Sequence, residues 1–531
     1  MQISRRDLIR SSAVVGGVVA LGGAGLADAA VAGTSPVTRA TTRTTRLVKG
    51  PVGAGGWRPV VKQSGENYLV RSGVGAPARK GRAKRRKPLL AFAQISDVHI
   101  IDTESPLRIE SGENFSSSAY RPQENLTGQV ADAMVREINA IRRGPVTGRK
   151  LAMTIQTGDN SDTSQYNELR WNIDLLDGGT VAINSGDPAR YEGVMDQSDF
   201  HSPTFWHPDG TPAGKTPDDA LAKYGFPTIP GLLEAAGRPF EAAGLNMPWY
   251  SAMGNHDGLV QGNFTPNDTY RNRAIGATKE VPGGTRTVTA DPNRRLLDKA
   301  AWVNEHFNTT GTPKGHGFTG ENKAKKTAYY YFDKGRVRFV VLDTVATSGE
   351  RGALDKKQFA WLKRLLDQSK RKLVVLVSHH PLDSFADPNL ASEIAGTLTR
   401  RPNVIAWING HSHTNQIWAH PRKEKGKVVG GFWEINTASH IDWPQQARLL
   451  EIVDNRDNTL SIFTTMIDHG GAVEFNGDLT DPTQLAGLSR ILAANDWQER
   501  EDNREGARSA RNVELLVRTP DFLRKKKKKK K

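Results

Sequence analysis

Leu89-Leu90-Ala91-Phe92-Ala93-Gln94-Ile95-Ser96-Asp97-Val98-His99 decides the reading of this chain. A run of apolar residues too short for a helix ends in an aspartate and a histidine two positions apart, which predicts a buried strand that delivers two polar side chains from its C-terminal end. The same arrangement recurs downstream. Leu151 to Gln156 leads to Gly158-Asp159-Asn160, and Leu373 to Val377 leads to His379-His380-Pro381. Val404 to Ile408 leads to Gly410-His411-Ser412-His413, and Gly254-Asn255-His256-Asp257 lies between the second and third of these sites. Aspartate, asparagine and histidine are suitable ligands for a pair of divalent cations, and strand ends let a rigid scaffold converge distant residues on one crevice. A glycine before Asp159, Asn255 and His411 is expected to let the backbone turn sharply beside each ligand.

Between these motifs, Pro122 to Arg143 carries Val130, Met134, Ile138 and Ile141 at helical spacing, and Phe359, Leu362, Leu365 and Leu366 mark a second helix. Ala328 to Phe332 and Val337 to Leu342 flank Asp333-Lys334-Gly335, a hairpin signature. Ala447 to Val453 and Leu460 to Met466 flank Asp457-Asn458 in the same manner, and a helix is expected from about residue 480. Strands alternate with helices early and join by hairpins late, which predicts an α/β sandwich of mixed sheets. The stretch from about 163 to 248, rich in glycine, proline and aromatics, is too long for a bare loop and reads as an insertion that caps or packs on the body.

The formal charge of +16 is concentrated. Arg524 to Lys531 carries eight positive charges and Arg79 to Lys87 seven, which leaves +1 for everything else. A near-neutral body argues against a nucleic-acid track, and Lys525 to Lys531 is expected to be a solvated tail able to meet anionic wall or membrane surfaces. There is no cysteine, so disulfides, thiolate ligands and a cysteine nucleophile are excluded. Ser4-Arg5-Arg6-Asp7-Leu8-Ile9-Arg10, followed by a Gly- and Ala-rich stretch and Ala27-Asp28-Ala29, resembles a bacterial twin-arginine signal. That resemblance implies export by the twin-arginine translocation machinery to a secreted, periplasmic or cell-envelope location. The expected organisation is a signal at 1–29, a basic Gly/Pro/Thr-rich linker at 30–87, an enzyme domain at 88–470 and a C-terminal extension at 471–531.

The five motifs in this order resemble the calcineurin-like metallophosphoesterase family, whose pattern runs D-x-H, G-D, G-N-H-[DE], H, G-H-x-H. The resemblance spans residues 97 to 413 and implies a four-layer αββα sandwich of two mixed β-sheets. It implies two divalent ions (manganese, iron or zinc), one held by Asp97, His99 and His413 and the other by Asn255, His379 and His411, with Asp159 bridging. His379 is preferred to His380 because the family's ligand stands two residues before the proline. His256 would face the substrate, with Asp257 orienting it. The implied reaction is hydrolysis of a small phosphate mono- or diester by a hydroxide held between the metals. A non-catalytic scaffold for anionic wall or membrane polymers and a nuclease are the alternatives. Purple acid phosphatases of this superfamily carry an iron-binding tyrosine three residues after the bridging aspartate; this chain has Asp162 there, which disfavours a ferric site. His440, in Ala438-Ser439-His440-Ile441-Asp442, is a candidate for the crevice wall.

Overall fold

Leu373-Val374-Val375-Leu376-Val377 is buried at every position, as a central parallel strand covered on both faces must be. It lies inside a six-stranded sheet. In chain order the strands of the fold's two large sheets are β1 (Leu69–Arg71), β2 (Lys87–Ile95), β3 (Thr154–Gln156), β4 (Trp249–Ser251), β5 (Tyr330–Lys334), β6 (Val337–Val341) and β7 (Leu373–Val377). They continue with β8 (Val404–Asn409), β9 (Gln416–Glu424), β10 (Lys427–Asn436), β11 (Gln446–Asp454), β12 (Thr459–Asp468) and β13 (Val513–Arg518). The computed structural model describes residues 41–196 and 201–524, so the signal at 1–29 and the Lys525–Lys531 tail lie outside the described residues.

The six-stranded sheet runs β5-β6-β7-β8-β10-β9, and the seven-stranded sheet runs β1-β13-β12-β11-β2-β3-β4. Both are mixed: β6, β7, β8 and β10 are parallel, as are β2, β3 and β4 and the pair β1 and β13, while the other neighbours are antiparallel, with β5–β6, β9–β10 and β11–β12 as hairpins. The sheets face each other across one apolar core, where Phe92 of β2 meets Phe339 of β6 edge-on at 5.3 Å. Helix α1 (Thr127–Ile141) puts Met134 and Ile138 into that core. Helices α3 (Lys356–Gln368) and α4 (Pro388–Thr399) cover the other sheet through Leu362, Leu366, Ile394 and Leu398 against Val374, Leu376 and Trp407. The layers are therefore αββα, as expected. α1 is shorter than the expected Pro122 to Arg143 because residues Glu124–Leu126 form a 3-10 turn and Arg142 ends the helix in the left-handed region.

Two boundaries move. Residues 41–87, expected as a linker, are folded: Thr45–Lys49 pairs with Val60–Ser64, and β1 adds to the edge of the seven-stranded sheet beside β13. The basic run is docked as well, since Arg82 grips Glu514 of β13 with two bonds of 2.9 and 2.7 Å and Arg86 reaches the same carboxylate at 2.7 Å. Local composition hid this, because these segments gain their order from the sheet edge they meet. The expected C-terminal extension likewise supplies β13, which pairs with β12, and helix α5 (Pro482–Asn495), so the folded body runs from about 41 to 524.

The insertion begins with α2 (Tyr166–Asp177), and its Phe205, Trp206, Phe226 and Leu232 build a second, smaller core with Leu485, Leu488 and Leu492 of α5. Beside it lies a cavity of about 340 Å³ lined by Thr103, Glu104, Asn125, Tyr191 and Leu233. Burial, with the Asp102 charge adding, pushes the Glu104 carboxyl up from 4.5 to about 8. A carboxyl with a raised folded-state pKa contributes full stability below 4.5 and loses it progressively as pH rises to about 8. Glu104→Gln is expected to flatten the fall in unfolding free energy between pH 5 and 9, by a few kcal/mol, in urea titrations. An unchanged slope would contradict this.

Candidate metal centre

All five motifs sit beyond the C-terminal ends of parallel strands: Asp97 and His99 after β2, Asp159 after β3, Asn255 after β4, His379 after β7, and His411 and His413 after β8. The parallel strands aim their ends at one edge, where the two sheets' loops meet. The backbone there is unusual. Asp97, His99, Asp159, His411 and His413 all have positive φ, between 45° and 75°. Each such residue costs about 1 kcal/mol or more, and clustered strain of this sort marks functional loops.

Two of the three motif glycines have a different reason from the one expected. Only Gly158 has positive φ, 94°. Gly254 is extended, at φ −106°. What all three share is close approach: a Cβ would collide with the His379 ring at Gly158, with Asp159 at Gly254, and with Ser96 and Asp97 at Gly410. The ligand side chains occupy the space a methyl group would need.

Asp97, His99 and His413 bring one ligand atom each within 4.8 Å of the others, as do Asp97, Asp159 and His379. The His99 and His413 Nε2 atoms are 3.2 Å apart. On the far side of each ring, Nδ1 meets a carboxylate: Asp162 Oδ1 at 3.0 Å for His99 and Asp442 Oδ2 at 2.5 Å for His413. With Nδ1 donating outward, both Nε2 atoms are left to face a common point, which is how metal-binding imidazoles are held. Asp159 Oδ2 lies 3.6 Å from His99 Nε2 and 3.0 Å from His379 Nε2, between the two groups. His379 Nδ1 donates to the Thr157 carbonyl at 3.0 Å, again freeing Nε2.

Asn255 donates its amide N–H to Gly262 O at 3.1 Å, which leaves Oδ1 buried without a partner. His411 stands beside His379, ring centres 5.1 Å apart, and its backbone N–H holds Asp97. His380 is close to both rings, but its nitrogens are taken, by Thr344 Oγ1 at 2.8 Å and Glu350 O at 2.9 Å. The orphaned Asn255 oxygen and the converging imidazole nitrogens fit a divalent-cation pair in donor chemistry.

The metal-free electrostatics agree. Burial alone would lower His379 and His413, yet the charges of Asp159 and of Asp442 outweigh it and raise each to about 9. A cation entering the site would replace those protons.

His256 is placed as a neighbour of the centre, its ring edge-on to His99 at 4.6 Å. Its orienting partner differs from expectation. Asp257 does not touch the His256 ring; its carboxylate accepts from the backbone N–H groups of Gly254, Asn160 and Ser161, at 2.8 to 3.1 Å, and so ties the second and third motif loops together. His256 Nδ1 instead donates to the Asp162 carbonyl at 2.7 Å. Burial would lower His256, but the Asp159 and Asp162 charges outweigh it and raise its pKa. Asp162 thus supports two histidines.

Sequence reading passed over Asp442, which lies in the quoted stretch after β10 and backs His413. Its signal was position: β10 is a further parallel strand ending at the same edge. His440 is buried beside Asp97, donating its backbone N–H to Asp97 O at 3.0 Å, with both ring nitrogens unpartnered.

Residues 230–415 match the family model for calcineurin-like phosphoesterase, a stretch that holds the last three motifs. No curated protein matches the sequence. Among solved structures, a dimetal phosphatase from Danio rerio matches at 14% identity and TM-score 0.34, covering 72% of this chain and 100% of its own. A purple acid phosphatase, PPD1, from yellow lupin seeds matches at 9% and 0.31, covering 76% and 55%. A 5′-nucleotidase from Candida albicans matches at 10% and 0.26, covering 76% and 56%. The family match, the αββα layers and the five motif loops meeting at one edge agree with one another: the chain carries a calcineurin-like phosphoesterase domain.

Proposed function

We propose that this chain is an exported two-metal phosphoesterase acting on small phosphate mono- or diesters. The observation that carries the reading is the pair of imidazoles, His99 and His413, backed by carboxylates and meeting at Nε2 beside Asp159. Asp97, His99 and His413 would hold one ion, Asn255, His379 and His411 the other, and Asp159 both. When bound, such a pair supplies Lewis acidity and activates water near neutral pH. The chain's own part is to fix the ligands on strained loops, to exclude bulk water by burying them, and to present His256. With Nδ1 committed to the Asp162 carbonyl, the other nitrogen of His256 can donate to phosphoryl oxygens or to the leaving oxygen, and its raised pKa favours the protonated form needed for this. The Ser4-Arg5-Arg6 signal resemblance supports export.

The test is hydrolysis of chromogenic mono- and diesters by metal-reconstituted protein, with and without chelator. Metal-dependent turnover of either is expected, and turnover of neither would overturn the reading. Cleavage of a small diester without cleavage of long DNA separates this enzyme from a nuclease.

A further inference from the structure

Between His99 and α1 the chain makes three short 3-10 turns, at Glu110–Asn114, Ser117–Ala119 and Glu124–Leu126. None of the five motifs lies in this stretch, yet it sends Arg108, Arg121 and Glu124 into the protein, each 1% exposed. Arg108 Nη1 donates to Asp162 Oδ2 at 2.9 Å, and its Nε and Nη2 donate to the two oxygens of Glu124. Glu124 in turn accepts the Arg121 backbone N–H at 2.9 Å. The Arg121 guanidinium donates to both oxygens of Asp442, at 2.5 and 3.3 Å. Asp162 and Asp442 are the carboxylates behind His99 and His413. The path from one imidazole to the other is therefore continuous, and it closes where the two Nε2 atoms stand 3.2 Å apart.

We propose that Arg108, Glu124 and Arg121 are positioning residues of the metal centre, forming with Asp162 and Asp442 a buried arch that fixes the His99 and His413 rings on one point. The inference rests on the two-metal reading above. Two physical reasons support it. Planar guanidinium forks set carboxylate orientation in a way that a point charge cannot. Finally, the stretch is pinned from outside. Lys279, fully buried on the strand Thr278–Val281, donates to Ser105 O at 2.7 Å and Arg108 O at 2.9 Å and pairs with Glu110 at 2.9 Å. His379, expected to hold the other ion, has a backbone carbonyl, that of Thr157, behind its Nδ1 in place of a carboxylate. The arch thus serves one of the two cation positions.

The experiment is calorimetric titration of metal-stripped full-length protein with Mn²⁺, supported by the visible spectrum of the Co²⁺-loaded form. Wild type is expected to bind two ions. Arg108→Gln and Arg121→Gln should weaken one binding event by roughly 10- to 100-fold, the scale at which outer partners of metal ligands act, and alter the Co²⁺ band. Arg108→Lys, which keeps the charge without the fork, should recover part of the loss. Arg490→Gln removes an equally buried arginine whose hydrogen bonds go to the backbone carbonyls of His469, Gly471 and Ala472, and should leave both events unchanged. Circular dichroism identifies folded variants. If Arg108→Gln does not fold, Glu124→Gln, which keeps the packing, should weaken the same event. Unchanged binding in a folded arch variant, or equal weakening in Arg490→Gln, would overturn the proposal. No binding by wild type would instead overturn the two-metal reading.

Discussion

Asp159→Ala is expected to abolish turnover while leaving the fold in place. Three functions converge on this one carboxylate. Its Oδ2 lies between His379 Nε2 at 3.0 Å and His99 Nε2 at 3.6 Å, where it could serve both proposed cation positions. Its Oδ1 accepts the backbone N–H of His256 at 2.9 Å and so sets the height of the third motif loop. Its charge also sustains the raised pKa values of His379 and His256. Losing a shared metal ligand removes the Lewis acid and the activated water together, and a fall in kcat of roughly 10³-fold or more follows. Calorimetry should show fewer than two ions bound. The core does not depend on this residue, so far-ultraviolet circular dichroism should be unchanged. Wild-type-like activity would remove the basis for the metal assignment.

His256→Gln is the second large effect, and it should separate chemistry from metal binding. The ring is held by one bond, from Nδ1 to the Asp162 carbonyl, and by its edge contact with His99. Glutamine can imitate the bond but cannot carry the charge. A loss in kcat of roughly 10²- to 10⁴-fold is expected, the usual range for a general acid or charged donor, with two ions still bound. The acidic limb of the pH–rate profile should persist, and the alkaline limb, where His256 would lose its proton, should vanish. Loss of an ion in this variant would make His256 a ligand instead.

Much of the site was legible because its chemistry is local. Each motif is a few residues long and follows an apolar strand, and β7 spans the expected Leu373 to Val377 from end to end. The β5–β6 hairpin formed where Asp333-Lys334-Gly335 placed it. What sequence reading missed depends on distant partners. Arg121 meets Asp442 across 321 positions and Arg82 meets Glu514 across 432, and no periodicity encodes either contact. The role given to Asp257 failed for a related reason. The resemblance implied a pair with His256, but in a tight helical turn neighbouring side chains diverge, and Asp257 turns to the backbone of Gly254, Asn160 and Ser161. The backbone freedom expected of the motif glycines is used at Gly158, whose φ is positive, while at Gly254 and Gly410 space is the constraint.

The central claim is that these loops hold two cations at once. Anomalous diffraction from crystals of manganese-loaded protein tests it most directly. The expected result is two peaks, one within bonding distance of Asp97, His99 and His413, the other within bonding distance of Asn255, His379 and His411, with Asp159 touching both. A single peak, or peaks away from these residues, would contradict the account.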